Sequence, residues 1–252
     1  MGLMSGLQLR GLVEDIRIYL SQFERMSTNS DYAQRTRMVW QVVLNLIGES
    51  ENTTVLSGSA IEEEYALEDD TSMTGVIFLL LKSFLCVHFG NHEQGAALAM
   101  QRGNRFYEES PGLPVGMPDP FLRAMSLYAM ARKTGKSKYA RHAKRARATV
   151  KDWLKKGNPN VYHQLELLNA ERAALSKRKD TSELYYKAAR LAVRGGWIHD
   201  AALTRERHGE YLLEIGDKEG ATAKLKEAIE RYSSWGAARK ASQLKEMYAD
   251  LL

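Results

Sequence analysis

All five prolines of this 252-residue chain fall at positions 111, 114, 118, 120 and 159, and the first 110 residues contain none. Proline removes a backbone donor and clashes with the preceding turn, so it breaks helix interiors. Long proline-free tracts with apolar residues at helical spacing therefore predict an all-α fold. The spacing is present from the start. Leu9, Leu12, Ile16, Tyr19, Leu20 and Phe23 recur on one face of a helix over about Leu7 to Met26, leaving Glu14, Asp15 and Arg17 on the other. Asn29, Ser30 and Asp31 offer an N-cap for a second helix that carries Tyr32, Met38, Val42, Val43 and Leu46 and stops at Gly48.

The rest of the chain reads in the same terms. Residues 1–48 form an N-terminal helix pair, and 49–73 an acidic linker with one short helix at Ile61 to Leu67. Hairpins follow at 74–109, 120–156, 160–194 and 198–233, and a capping helix at 236–252 completes a single domain spanning 1–252. The best-formed unit is Arg205 to Ala228, two helices around a Gly216-Asp217 turn. Gly209 in its first helix, and Ala221, Leu225 and Ala228 in its second, sit where the two must touch, and small residues there permit close approach. A stack of such units is the signature of tetratricopeptide-type repeats. The turns at Gly90, Gly135, Asp180 and Gly216 are 45, 45 and 36 residues apart, against about 34 in a strict repeat. The expected architecture is a right-handed α-solenoid of degenerate tetratricopeptide-like hairpins with a C-terminal capping helix, about ten to twelve helices in all.

Several function classes recede at once. The single cysteine, Cys86, excludes an internal disulfide and a multi-cysteine zinc site. No apolar run approaches the roughly 18 residues of a membrane span. The start, MGLMSGLQ, lacks the basic-then-apolar order of a signal peptide, and Gly6 stands where a myristoylation motif needs Ser or Thr. The expectation is a cytoplasmic protein. Its net charge of +5 is unevenly spread. Arg132 to Lys156 holds eleven Lys and Arg against the one acid Asp152, whereas no basic residue occurs between Arg37 and Lys82.

That basic stretch is the leading candidate for binding. Tyr139, Ala140, Ala143, Ala146, Val150, Trp153 and Leu154 form its apolar stripe, so Arg141, Lys144, Arg145, Lys151 and Lys155 project elsewhere. They suit phosphate groups of nucleic acid, although no exposed aromatic interleaves with them as a stacking platform would need. A solvated face, or pairing with the acidic 49–70 region, is the plainer reading. Glu206 and Glu210, at i and i+4 on the last hairpin, are read as a solvated, salt-bridged face and a second candidate partner surface. Thr134-Gly135-Lys136-Ser137 resembles the end of a phosphate loop, but Met130 stands where that loop needs glycine, so it reads as a turn. Cys86, His88 and His92 lie close together, but Gly90 interrupts the helix and a further ligand is missing for zinc. Leu203, Glu206, Glu210 and Leu213 occupy the positions where peptide-gripping tetratricopeptide grooves use Lys and Asn. Catalytic, cofactor and metal sites are all expected to be none.

Five stretches carry a resemblance. QVVLNLIGES at Gln41 to Ser50, FGNHEQGA at Phe89 to Ala96, and the run from Leu184 to Asp217 lie in the order and spacing of one family, as do Leu56-Ser57-Gly58 and RYSSWGAARKASQL at Arg231 to Leu244. They resemble the helical repeat region of large multidomain signalling ATPases, in which a P-loop ATPase precedes the repeats and a histidine kinase or nucleotide cyclase often follows. Neither module is read in these residues, so the chain is expected to be an excised fragment or a stand-alone relative. The resemblance implies a non-catalytic scaffold for protein–protein interaction or intramolecular relay in signal transduction. The alternative is a helical repeat that binds nucleic acid or phosphate through residues 136–156. In either case the partner is a macromolecule, with no membrane role.

Overall fold

The structure, a computed structural model, describes residues 2–25, 31–63, 72–103 and 116–252. Among these it is all-α, with no strand. Eleven α-helices occur: α1 (Leu9–Arg25), α2 (Asp31–Ile47), α3 (Met73–His88), α4 (His92–Arg102), α5 (Pro118–Thr134), α6 (Ser137–Lys155), α7 (Tyr162–Leu175), α8 (Thr181–Arg194), α9 (Ile198–Glu214), α10 (Lys218–Trp235) and α11 (Ala238–Met247). Short 3₁₀ turns cover Gly2–Ser5 and Pro159–Val161.

Local chemistry sets the ends. The side chains of Ser72, Asn91 and Asp217 accept from the N–H groups of Gly75, Gln94 and Gly220, capping α3, α4 and α10. Pro118 and Pro120 both fall in the first turn of α5, where their missing N–H groups have no intrahelical partner to lose. That helix accordingly starts at Pro118, two residues before the sequence suggests. Gly135 closes it in the left-handed region at φ +67°, which makes Thr134–Ser137 a turn between helices.

Consecutive helices pack on one another, and α5 also reaches α3 and α7. The α9/α10 contact is intimate because Gly209 has no side chain. A Cβ there would lie 2.8 Å from Cγ of Leu225 and 3.3 Å from the Ala221 carbonyl oxygen. Two helices, α5 and α9, are buried on nearly every side despite carrying charges. The order of contacts then closes on itself. Helix α11 returns onto α2, and Trp235 Nε1 donates to the Leu7 carbonyl at 2.9 Å.

The structure departs from the sequence reading in several places. Residues 49–63 are no free linker. Leu56 is fully buried, Asn45 Nδ2 donates to the carbonyls of Thr53 and Val55, and Gln41 Oε1 accepts from the Ala60 amide. Glu63 there pairs with Lys82 of α3. Buried amides on α2 thus hold the loop down, which its acidic composition concealed. The helix expected at Ile61 to Leu67 falls mainly outside the described residues, as does 104–109 of the first hairpin. Tyr19 and Tyr32, assigned to apolar stripes, are exposed at 58% and 68%. Trp235 ends α10 and is wholly buried, so that hairpin extends beyond residue 233.

Candidate functional site

Buried all round, α5 and α9 force charged side chains into the interior, and these must find partners there. The centre of the resulting network is Glu171 on α7, whose side chain is fully buried. Its Oε1 accepts from Arg207 Nε at 3.0 Å and from the Tyr185 hydroxyl at 2.8 Å. Its Oε2 accepts from Arg207 Nη2 at 3.0 Å and Arg132 Nη1 at 3.1 Å. Burial alone would raise this carboxyl's pKa. Arg207 and Arg132 overcome that and bring it down to about 2. Tyr185 moves the opposite way, well above its ordinary value, through burial and the adjacent carboxylate.

A second set is built on Glu206, the residue before Arg207 on α9. Glu206 accepts from Lys240 Nζ at 2.6 Å and from the Tyr232 hydroxyl at 2.8 Å. Lys240, on α11, is 1% exposed and donates also to Gln243 at 3.0 Å. Gln243 in turn donates to the Phe89 carbonyl at 3.1 Å, tying α11 to the end of α3.

Both sets border one cleft of about 400 Å³, lined by the α3–α4 turn (Phe89, Gly90, His92), α5 (Ala129, Arg132, Lys133), α9 (Glu206, Arg207, Glu210, Glu214) and α11 (Lys240, Met247). Glu206, Glu210 and Glu214 recur at i+4, so one face of α9 supplies all three. Glu210 pairs with Arg207, and Glu214 lies 2.6 Å from Arg132 Nη2. Arg207 Nη1 also faces His92 Nε2 at 3.4 Å, which assigns the imidazole proton to Nδ1. Burial first, then the positive charge of Arg207, pushes His92 down to about 3, so it is neutral.

The sequence candidates fall into two places. Glu206 and Glu210 are in the cleft and both are ion-paired, as the salt-bridged part of their reading expects, but Glu206 is buried, which corrects the solvated part. Arg141, Lys144, Arg145, Lys151 and Lys155 lie on α6, all exposed, and none of them lines the cleft. Among the described residues no ion pair joins them to the acidic 49–63 stretch; Glu63 pairs with Lys82 instead. Sequence reasoning missed Glu171, Arg132, Arg207, Tyr185 and Lys240, which hold the centre together.

The remaining candidates stand apart. Cys86 is buried and its thiol pushed up to about 12, chiefly by that burial. His88 packs on Phe84, and with His199 and Trp235 forms a buried ring cluster. Next to it His163 Nε2 lies 2.6 Å from Asp200. No group of three or more His, Cys, Asp and Glu among the described residues is placed to hold a metal ion. Among the same residues no helix is long and apolar enough to cross a membrane. In comparisons with protein families, characterised proteins and solved structures, nothing matches this chain.

Proposed function

We propose that this chain is a non-catalytic scaffold for protein–protein interaction or intramolecular relay in cytoplasmic signal transduction, with the cleft between α5, α9 and α11 as its recognition surface. Its architecture is read as a right-handed α-solenoid of degenerate tetratricopeptide-like hairpins, of the kind that forms the repeat region of large signalling ATPases. The observation that carries this reading is the state of the ionisable groups around the cleft. Glu171 and Glu206 commit their oxygens to fixed donors, and His92 is a neutral ring turned toward Arg207. Proton transfer calls for a group poised near the working pH and within reach of a substrate. A preformed charged wall that keeps its shape is what selective binding uses. Capture from the chain's own cells, followed by cross-linking and mass spectrometry, tests the reading. The expected result is a reproducible partner cross-linked to Lys133 or neighbouring positions at the cleft mouth; capture no better than an unrelated helical protein overturns it.

A second reading has its own observation. On α6, Lys138, Arg141, Lys144, Arg145, Lys151 and Lys155 occupy one arc of the helix while Ala143, Ala146 and Val150 are buried on the opposite side. This leaves a ridge of cations about 25 Å long, at 1.5 Å per residue, suited to a phosphate backbone. Polyanion binding would fall steeply with salt. Changing Arg141, Lys144 and Arg145 to Glu should abolish it while leaving the fold intact, and salt-independent retention on heparin or duplex DNA rules it out.

A further inference from the structure

Arg132 is held from behind by buried partners and met in front by one exposed carboxylate. Its Nη1 is fixed by Glu171 at 3.1 Å, with the Tyr185 hydroxyl at 3.5 Å. Its side chain is only 8% exposed. The other edge of the guanidinium, Nε and Nη2, is the edge that grips an oxyanion with two parallel N–H bonds. Of that edge, Nε is buried and has no hydrogen-bond partner, while Nη2 meets the carboxylate of Glu214 at 2.6 Å. Arg207 shows the same edge in use, its Nε and Nη2 engaging both oxygens of Glu171 at 3.0 Å.

The rest of the cleft agrees in sign. Its buried polar atoms without a hydrogen-bond partner are Arg132 Nε and His92 Nδ1, and with the tautomer assigned above both are donors. Lys133 adds an exposed cation at the mouth. Two carboxylates of the wall are already engaged, Glu206 by Lys240 and Tyr232 and Glu210 by Arg207. One carboxylate already stands close: Glu214 Oε1 lies 2.6 Å from Arg132 Nη2. It neutralises charge there through Nη2, leaves Nε without a partner, and its own side chain remains 55% exposed. An exposed carboxylate on the last turn of a helix can swing into solvent at little cost.

We propose that this cleft binds a small oxyanion-bearing molecule, a carboxylate or phosphate gripped by the Nε and Nη2 edge of Arg132, and that Glu214 is the displaceable internal occupant of that position. The volume, about 400 Å³, lies within the range of small-ligand sites. Walls contributed by three helices and a turn favour a compact guest. This inference rests on reading the cleft as a recognition surface and names the chemistry that it recognises.

The two sources of such an oxyanion are separated by titrating the whole chain with inorganic phosphate and with succinate at physiological salt, by calorimetry and by the Arg Nε–H resonances. One of the two should bind and move the Arg132 Nε–H signal. Glu214→Gln, a change at an exposed position, should tighten that binding about tenfold, the effect of removing one competing charge worth roughly 1.4 kcal/mol. Arg132→Lys keeps the charge and loses the two-pronged edge, so it should weaken binding at least as much; circular dichroism verifies that it folds. The proposal is overturned if neither anion binds Glu214→Gln, or if the variant binds no more tightly than the parent chain. A protein partner still captured at the cleft would in that case leave the scaffold reading standing.

Discussion

At the scale of single residues, the chain's behaviour with pH follows from who is buried with whom. Glu171 has a folded pKa of about 2 against an ordinary 4.5. A carboxyl lowered by folding contributes stability that is complete above its unfolded pKa and is lost as the pH falls toward the folded one. Its window is therefore about 4.5 down to 2, and a shift of that size is worth about 3 kcal/mol. The histidines act earlier. His88 and His92 fall from 6.5 to about 3, with burial the largest cause for each. Between those values the unfolded chain binds a proton that the folded chain refuses, so each should remove up to about 1.4 kcal/mol per pH unit as the pH drops below 6.5. Urea unfolding from pH 7.5 to 5 should show this loss well before Glu171 can titrate. His92→Gln keeps an acceptor for Arg207 and should reduce the slope by about one proton; an unchanged slope would show that His92 titrates normally. Glu171→Gln should cost about 3–5 kcal/mol at neutral pH, because two buried guanidiniums lose their shared countercharge. Parent-like stability of that variant would mean that water reaches the site.

At the scale of helices, one glycine tests the close approach that the sequence identified. Alanine is ordinarily the better helix residue by roughly 1 kcal/mol. Gly209→Ala should reverse that sign and destabilise by about 1–3 kcal/mol, since the new Cβ meets Leu225 and the Ala221 carbonyl. Gly11→Ala on α1 is the control: nothing lies within 4 Å of its added Cβ, so the ordinary gain should appear. If both changes stabilise in thermal melts, α9 and α10 are less tightly packed than described. Helices and the Gly209–Leu225 contact were legible because spacing and side-chain size report them locally. The ionic site was not. Arg132, Glu171 and Arg207 lie 39 and 36 residues apart, and pattern reading takes each charge as a mark of the wet side. One signal was available on α9. Arg205, Glu206, Arg207 and His208 are consecutive, so they point to every side of the helix, while Ala201, Ala202 and Leu203 must be buried on some of them. A helix so marked cannot keep all its charges in water.

At the scale of the whole molecule, the unexpected feature is closure. A stack of hairpins read from sequence has two ends, because each unit is seen to touch only its neighbours. Here the ends meet. The Trp235 ring is wholly buried and its Nε1 donates to the Leu7 carbonyl. A Cβ on Gly6 would lie 2.8 Å from His199 Nδ1, so the chain at Gly6 passes close against the start of α9. Helix α11 rests on α2 while presenting Lys240 to the cleft and Gln243 to Phe89. The segment that closes the array is thus the segment that completes the wall of the site. Trp235→Phe keeps an aromatic ring but removes the donor, leaving the Leu7 carbonyl without it and a small void beside His199. The expected cost is about 1–3 kcal/mol. Hydrogen exchange should locate it, with protection falling at residues 7–12 and along α11 more than in α5 or α6, because only the closing contact is weakened. A uniform loss of protection would instead make the chain one cooperative unit, in which closure has no local stability of its own.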